Sequence, residues 1–110
     1  GVSRRLEHRV AGADANPYLT LAAVLAGIHH GVTHELNPPA ARQDNAGTEL
    51  DSNVPFTWQS ALDRLQNAEA LGGYLGASYL ELYRECKQYE FDAFHNEFTP
   101  LEFRWYLAPE

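Results

Sequence analysis

Ala15-Asn16-Pro17-Tyr18-Leu19-Thr20-Leu21-Ala22-Ala23-Val24-Leu25-Ala26-Gly27-Ile28-His29-His30-Gly31-Val32-Thr33-His34 contains no Asp, Glu, Lys or Arg. Its length matches a bilayer span, but Asn16, Pro17, Thr20, Gly27, His29 and His30 interrupt it, and the strictly apolar part covers about half the hydrocarbon thickness. It reads instead as a helix of a folded domain. Asn16 and Pro17 are a preferred N-cap and N1 pair, and Leu21, Leu25, Ile28 and Val32 recur at helical spacing along one face. Ala22, Ala23, Val24 and Ala26 fill much of the remaining surface. A helix over 17–33 is therefore expected to be buried on most sides, either wrapped by other helices or packed on something outside this sequence.

Upstream, residues 2–10 alternate. Arg5, Glu7 and Arg9 share one face of a predicted strand, and Leu6, His8 and Val10 share the other. The plus, minus, plus face admits two readings. One is a solvated edge strand. The other is an active-site wall that offers a carboxylate to a metal and flanks it with guanidinium forks for anionic oxygens. A lone strand leaves its backbone donors and acceptors unpaired on both edges, so its sheet is expected upstream or in another subunit.

Downstream, residues 35–56 carry Pro38-Pro39, Gly47 and no hydrophobic periodicity, and read as a long surface loop. Thr57 caps a second predicted helix over 57–71, with Trp58, Ala61, Leu62 and Leu65 as its apolar stripe and a break at Leu71-Gly72-Gly73. A third is predicted over 77–97. Leu80, Tyr83, Lys87, Phe91, Phe94 and Phe98 follow one side, while Glu81, Glu85 and Asp92 stay outside; an aromatic stripe of this kind is ordinarily core. Thr99-Pro100-Leu101-Glu102 is a capping-box pattern that opens a last helix over 100–107. The fold expectation is mainly α, about four helices with one short N-terminal strand, in a single domain of 110 residues.

Eight basic against fifteen acidic side chains give a formal charge of −7, with 45% hydrophobic residues. That composition belongs to a folded globular chain. It disfavours duplex nucleic acid and anionic membrane surfaces, both of which select surplus Lys and Arg. Cys86 is the single cysteine, which excludes an internal disulfide or a Cys-based zinc cage and is compatible with a reducing, cytoplasmic setting. No targeting segment is expected, because Arg4, Arg5, Glu7 and Arg9 stand where a signal peptide would be apolar.

Other constellations favour ordinary readings. His30 and His34 have the i, i+4 spacing of a two-imidazole metal site, but no third ligand beyond Glu35 is evident, so helix-end histidines are the default. His29 and His30 also suit the partial negative charge of a helix C-terminus. Cys86 lies among Glu85, Lys87 and Glu90 without an assignable base. Gly72-Gly73 with Gly76 lacks the preceding strand and following Lys-Ser or Lys-Thr of a phosphate loop.

The segment Glu7-His8-Arg9-Val10-Ala11-Gly12-Ala13-Asp14-Ala15-Asn16-Pro17-Tyr18, continuing into Leu25-Ala26-Gly27-Ile28-His29-His30-Gly31, resembles the C-terminal part of the glutamine synthetase family. There an Arg-aliphatic-Glu-x-Arg strand precedes an Ala-Asn-Pro-Tyr helix start. The wording is most similar to the γ-glutamylpolyamine (γ-glutamylputrescine) synthetase branch. Ser60-Ala61-Leu62-Asp63-Arg64-Leu65, Tyr83-x-x-Cys86-Lys87-x-x-Glu90 and Thr99-Pro100-x-Glu102-x-x-x-Tyr106-Leu107 agree more loosely.

The resemblance implies a C-terminal fragment of an α+β catalytic domain. The parent would be an ATP-dependent ligase in which divalent cations, Mg²⁺ or Mn²⁺, help the γ-carboxylate of glutamate take a phosphoryl group from ATP. Ammonia or a polyamine such as putrescine would then displace phosphate. By position, Glu7 would ligate metal, Arg9 would hold the glutamate carboxylate or the transferring phosphoryl, and Arg5 would neutralise ATP phosphate oxygens. Positioning and charge neutralisation are what phosphoryl transfer asks of a protein. A homo-oligomeric ring is implied for the parent, and the chain alone is expected to be inactive. The competing expectation is a non-catalytic helical interaction domain, with Arg5, Glu7 and Arg9 as a surface charge ladder and the apolar helix binding a partner.

Overall fold

A computed structural model of the chain describes residues 3–48 and 51–107. Five helical elements follow in order: α1 (Pro17–Thr33), α2 (Trp58–Gln66), α3 (Glu69–Leu75), α4 (Ala77–His95) and a single turn α5 (Pro100–Glu102). A short 3₁₀ turn (Ala46–Thr48) lies in the long loop, and α5 runs on into a wider π-helical turn (Phe103–Leu107). The described part of the structure is thus mainly helical.

Local chemistry sets the ends of α1. The Asn16 side chain accepts from the Tyr18 and Leu19 amides at 3.0 and 3.2 Å, and Pro17 occupies N1, where its missing N–H costs nothing. At the other end the Leu36 amide returns to the Gly31 carbonyl at 2.9 Å and the Glu35 amide to Val32 at 3.3 Å. This is the paired C-terminal bond pattern that calls for a left-handed residue, and Glu35 supplies it at φ 51°. Gly31 lies inside α1 and does not end it.

The expected helix over 57–71 is two helices. Thr57 and Ser60 form a reciprocal cap for α2, and α2 stops at Gln66. The chain re-enters a helix at Glu69 and passes through Gly72-Gly73 without a break. The break falls at Gly76, whose φ of 93° is glycine territory and turns α3 into α4. A Cβ on Gly72 would meet Ala77 Cα and Leu80 Cδ1 at 3.9 and 4.0 Å. The helix therefore continues because this turn packs on the start of α4, and packing overrides the weak intrinsic propensity of glycine. At the C-terminal end α4 stops at His95 rather than 97, and the Thr99–Glu102 capping box opens α5 as expected.

Ala26, Leu62 and Leu80 are the buried core positions among the described residues. α4 packs on α2 and α3, and α3 packs on α1. Trp58 of α2 meets Phe91 edge-on at 5.5 Å between ring centroids. The expected aromatic stripe is core only in part, since Phe94 of α4 is exposed and Phe98, also exposed, lies beyond the helix end at His95.

α1 turns its small residues inward. Ala26 is buried, and Ala22, Ala23 and Gly31 are half-buried along with Leu19, Thr20, Val24 and His30; Leu19 and Ala23 share an apolar groove with Leu71, Leu75 and Leu80. The larger stripe faces outward: Leu21, Leu25, Ile28 and Val32 are 58, 55, 45 and 76% exposed. The expectation of a helix buried on most sides is corrected accordingly. The alanine face lets α3 approach closely, whereas among the described residues no helix covers the bulky face, and only the segment carrying Leu6 and His8 lies alongside part of it.

The strand expected over 2–10 does not form among the described residues; Val2 lies outside them. Residues 4–10 carry no backbone ladder, because no neighbouring strand is there to exchange hydrogen bonds. The loop over 35–56, of which 49–50 lie outside the described residues, is held by side chains. Arg42 pairs bidentately with Asp44, Asn45 accepts from the Gly47 amide at 3.0 Å, and Arg64 of α2 donates to the Ser52 carbonyl at 2.6 Å.

Candidate functional site

Arg5, Glu7 and Arg9 come together on one side of the segment that leads into α1. Arg5 Nε donates to Glu7 Oε1 at 2.6 Å, while Arg9 Nη2 and Nε donate to Glu7 Oε2 at 2.6 and 3.2 Å. Leu6 and His8, the alternate positions, instead line a shallow groove against Thr20, Val24 and Ile28 of α1. The period of two read from sequence is therefore realised in side-chain direction even without a ladder.

Both carboxylate oxygens of Glu7 accept charged hydrogen bonds, Arg9 contributing most and Arg5 next, and together they hold its carboxyl below the usual carboxylate range. All three side chains face solvent. An arginine carries five N–H donors, so after these contacts most of each fork is left for an anionic oxygen.

As a donor Glu7 suits a hard divalent cation, which takes oxygen ligands in sets of six or more. One carboxylate supplies at most two of these, and no group of three His, Cys, Asp or Glu side chains converges among the described residues. The described residues fit a contribution to such a site and do not complete one.

Two arrangements were not anticipated from sequence. His29 Nδ1 lies 2.9 Å from the Tyr74 hydroxyl, tying α1 to α3. Lys87 pairs with Glu90 at 2.6 Å above the Tyr83 ring, beside the Asp14–Pro17 turn that follows Arg9. Spacing cannot signal the first, which joins residues 45 apart, whereas Lys87–Glu90 and Lys87–Tyr83 have the i, i+3 and i, i+4 spacing of one helix face, and only their place beside the Asp14–Pro17 turn needed the fold. No described helix is long and apolar enough to cross a membrane.

Comparison with known proteins locates this segment. The profile of the glutamine synthetase catalytic domain matches residues 1–106. The chain is 37% identical over 105 residues to the gamma-glutamylputrescine synthetase PuuA of Escherichia coli (strain K12), covering 96% of this chain and 22% of that protein. It is 34% identical over 104 residues to the gamma-glutamylethanolamide synthetase GlnA4 of Streptomyces coelicolor, covering 94% and 22%. It is 29% identical over 116 aligned positions to the glutamine synthetase of Mycolicibacterium smegmatis, covering 96% and 26%. The chain thus spans between a fifth and about a quarter of the length of these relatives. No solved structure matches it. With the profile running across nearly its whole length, the chain belongs to the glutamine synthetase family and carries part of that family's catalytic domain.

Proposed function

We propose that this chain works as part of a longer ATP-dependent carboxylate–amine ligase that phosphorylates the γ-carboxylate of glutamate and joins it to ammonia or a polyamine. The observation that carries the reading is the Arg5–Glu7–Arg9 cluster, an ionised carboxylate gripped by two guanidinium groups within a segment the family profile covers. Names of the relatives support an amine larger than ammonia: those at 37 and 34% identity are called synthetases of γ-glutamyl amides of putrescine and ethanolamine. Putrescine is the favoured amine on that ground.

The roles follow from charge and geometry. When bound, Mg²⁺ or Mn²⁺ supplies charge neutralisation at phosphate oxygens. Glu7 would donate one carboxylate to such a cation, the remaining ligands coming from other parts of the protein. Arg9, with N–H groups left over after its contact to Glu7, would hold the carboxylate or phosphoryl oxygens of the substrate. Arg5 would neutralise a nucleotide phosphate. Glu7 itself keeps both guanidinium groups oriented before substrate arrives, so less side-chain freedom is lost on binding.

The chain alone would then lack ligase activity, since Glu7 offers too few ligands for the cations the reaction needs. A cytoplasmic, homo-oligomeric parent is part of the same reading. The exposed α1 face is equally what a non-catalytic helical interaction domain would show, and Glu7→Gln in the longer protein separates the two. Phosphate release with ATP, Mg²⁺ and glutamate would be compared without amine, with ammonia and with putrescine. Putrescine-dependent turnover that falls by a factor on the order of 10² or more in Glu7→Gln is expected for a group that meets the transition state. Turnover unchanged by Glu7→Gln would make the cluster a surface charge ladder.

A further inference from the structure

Outside the Arg5–Glu7–Arg9 cluster, the last turn of α1 brings two imidazoles face to face. The rings of His30 and His34 lie 4.0 Å apart between centroids and are tilted by 34°. His34 Nδ1 sits 2.9 Å from the His30 carbonyl oxygen. Only a donor satisfies that carbonyl, so neutral His34 carries its proton on Nδ1 and presents the Nε2 lone pair outward. A ring nitrogen fixed by a backbone carbonyl on its far side is the usual support of a metal-bound histidine. The ring nitrogens of His30 have no hydrogen-bond partner among the described residues, which leaves a lone pair available there too.

We infer that His30 and His34 form a two-imidazole site for a borderline divalent transition metal of the Zn²⁺, Ni²⁺ or Cu²⁺ class, with solvent completing the coordination. Metal–imidazole bonds are about 2.0–2.1 Å, so two ligand nitrogens stand at most roughly twice that far apart. The 4.0 Å separation is between ring centroids; with His34 held on the His30 carbonyl, turning the His30 ring about χ2 would bring one of its nitrogens to the side of the His34 Nε2 lone pair. The chemistry separates the site from the one in the proposed reaction: imidazole selects zinc, nickel and copper, whereas magnesium and manganese prefer carboxylate and water. The His29 ring is turned instead to Tyr74 of α3, whose hydroxyl lies 2.9 Å from its Nδ1, and it does not stack with the His30–His34 pair. A metal bridging positions four apart would clasp the final turn of α1, just before Glu35 takes its left-handed conformation.

The test is calorimetric titration of the metal-stripped 110-residue chain with Zn²⁺, run with excess Mg²⁺ present and with helix content followed by circular dichroism. One saturable equivalent is expected, with a rise in thermal midpoint on binding. Affinity should fall at least tenfold in His30→Gln and in His34→Gln, and stay unchanged in His8→Gln and His95→Gln. Cu²⁺ loading should give nitrogen hyperfine structure from two imidazoles in the paramagnetic resonance spectrum, lost in either of the first two variants. Absence of saturable Zn²⁺ binding, a loss below tenfold in either variant, or an equal loss in His95→Gln overturns the assignment. Because Gln keeps helix propensity close to that of His, an affinity loss at unchanged helix content is not a folding effect.

Discussion

Glu7 is where local sequence order becomes electrostatics. Its two oxygens are held by neighbours two residues to either side, so the cluster needs an alternating backbone and no other part of the chain. The lowered carboxyl of Glu7 owes most to Arg9 and next to Arg5. A depressed native value stabilises the folded chain above the unfolded glutamate value of about 4.3, and this contribution disappears as the pH falls through the native value. Solvent screens an exposed ion pair, so the effect belongs in a titration and not in a melting curve. Followed by carbon-detected NMR, the Glu7 carboxyl should titrate below the ordinary value. Arg9→Ala should move it upward further than Arg5→Ala, and about 1 M salt should move it the same way. A midpoint indifferent to Arg9→Ala would mean that the contacts do not persist in solution.

At the scale of elements, glycine position decides where helices stop. Gly76 joins α3 to α4 at φ 93°, a conformation a side chain resists, whereas Gly72 is an ordinary helical residue whose added Cβ would meet Ala77 and Leu80 at normal contact distance. The two substitutions therefore have opposite signs. Gly76→Ala should destabilise by about 1–3 kcal/mol from backbone strain. Gly72→Ala should be neutral or stabilise by up to about 1 kcal/mol, from the better helix propensity of alanine. Urea midpoints at constant slope measure both; destabilisation by Gly72→Ala that matches Gly76→Ala would mean α3 does not continue through the glycine pair. The same contrast explains the misplaced boundary: Gly72-Gly73 looks like punctuation in one dimension, and only the packing of α3 on α4 shows that the stop comes later.

The whole molecule is open. Its Cα radius of gyration is 18.6 Å, with extents of 62 × 40 × 26 Å, against about 13 Å for a compact domain of this length. Much of the apolar surface that would be core in a compact fold is in contact with solvent, including Leu21, Leu25, Ile28 and Val32 on α1 and Phe98, Trp105 and Tyr106 near the C-terminal end. Exposed apolar patches of this kind drive association. Sedimentation velocity of the 110-residue chain should show concentration-dependent self-association, and Leu25→Glu combined with Val32→Glu should reduce it; a monomer at all concentrations in the parent chain would show that this face is protected in solution. What the sequence determined by itself were features closed within a few residues: α1 over 17–33 from its Asn-Pro start, the caps at Thr57 and Thr99, and the shared side of Arg5, Glu7 and Arg9. Each rests on a hydrogen bond or spacing that a short segment supplies alone. Tertiary structure decided which face of α1 turns inward, that the region after Thr57 is two helices, and that residues 4–10 have no ladder. Those outcomes depend on which surfaces meet: small residues admit a neighbouring helix, bulky ones wait for cover, and a strand exists only where another backbone lies beside it.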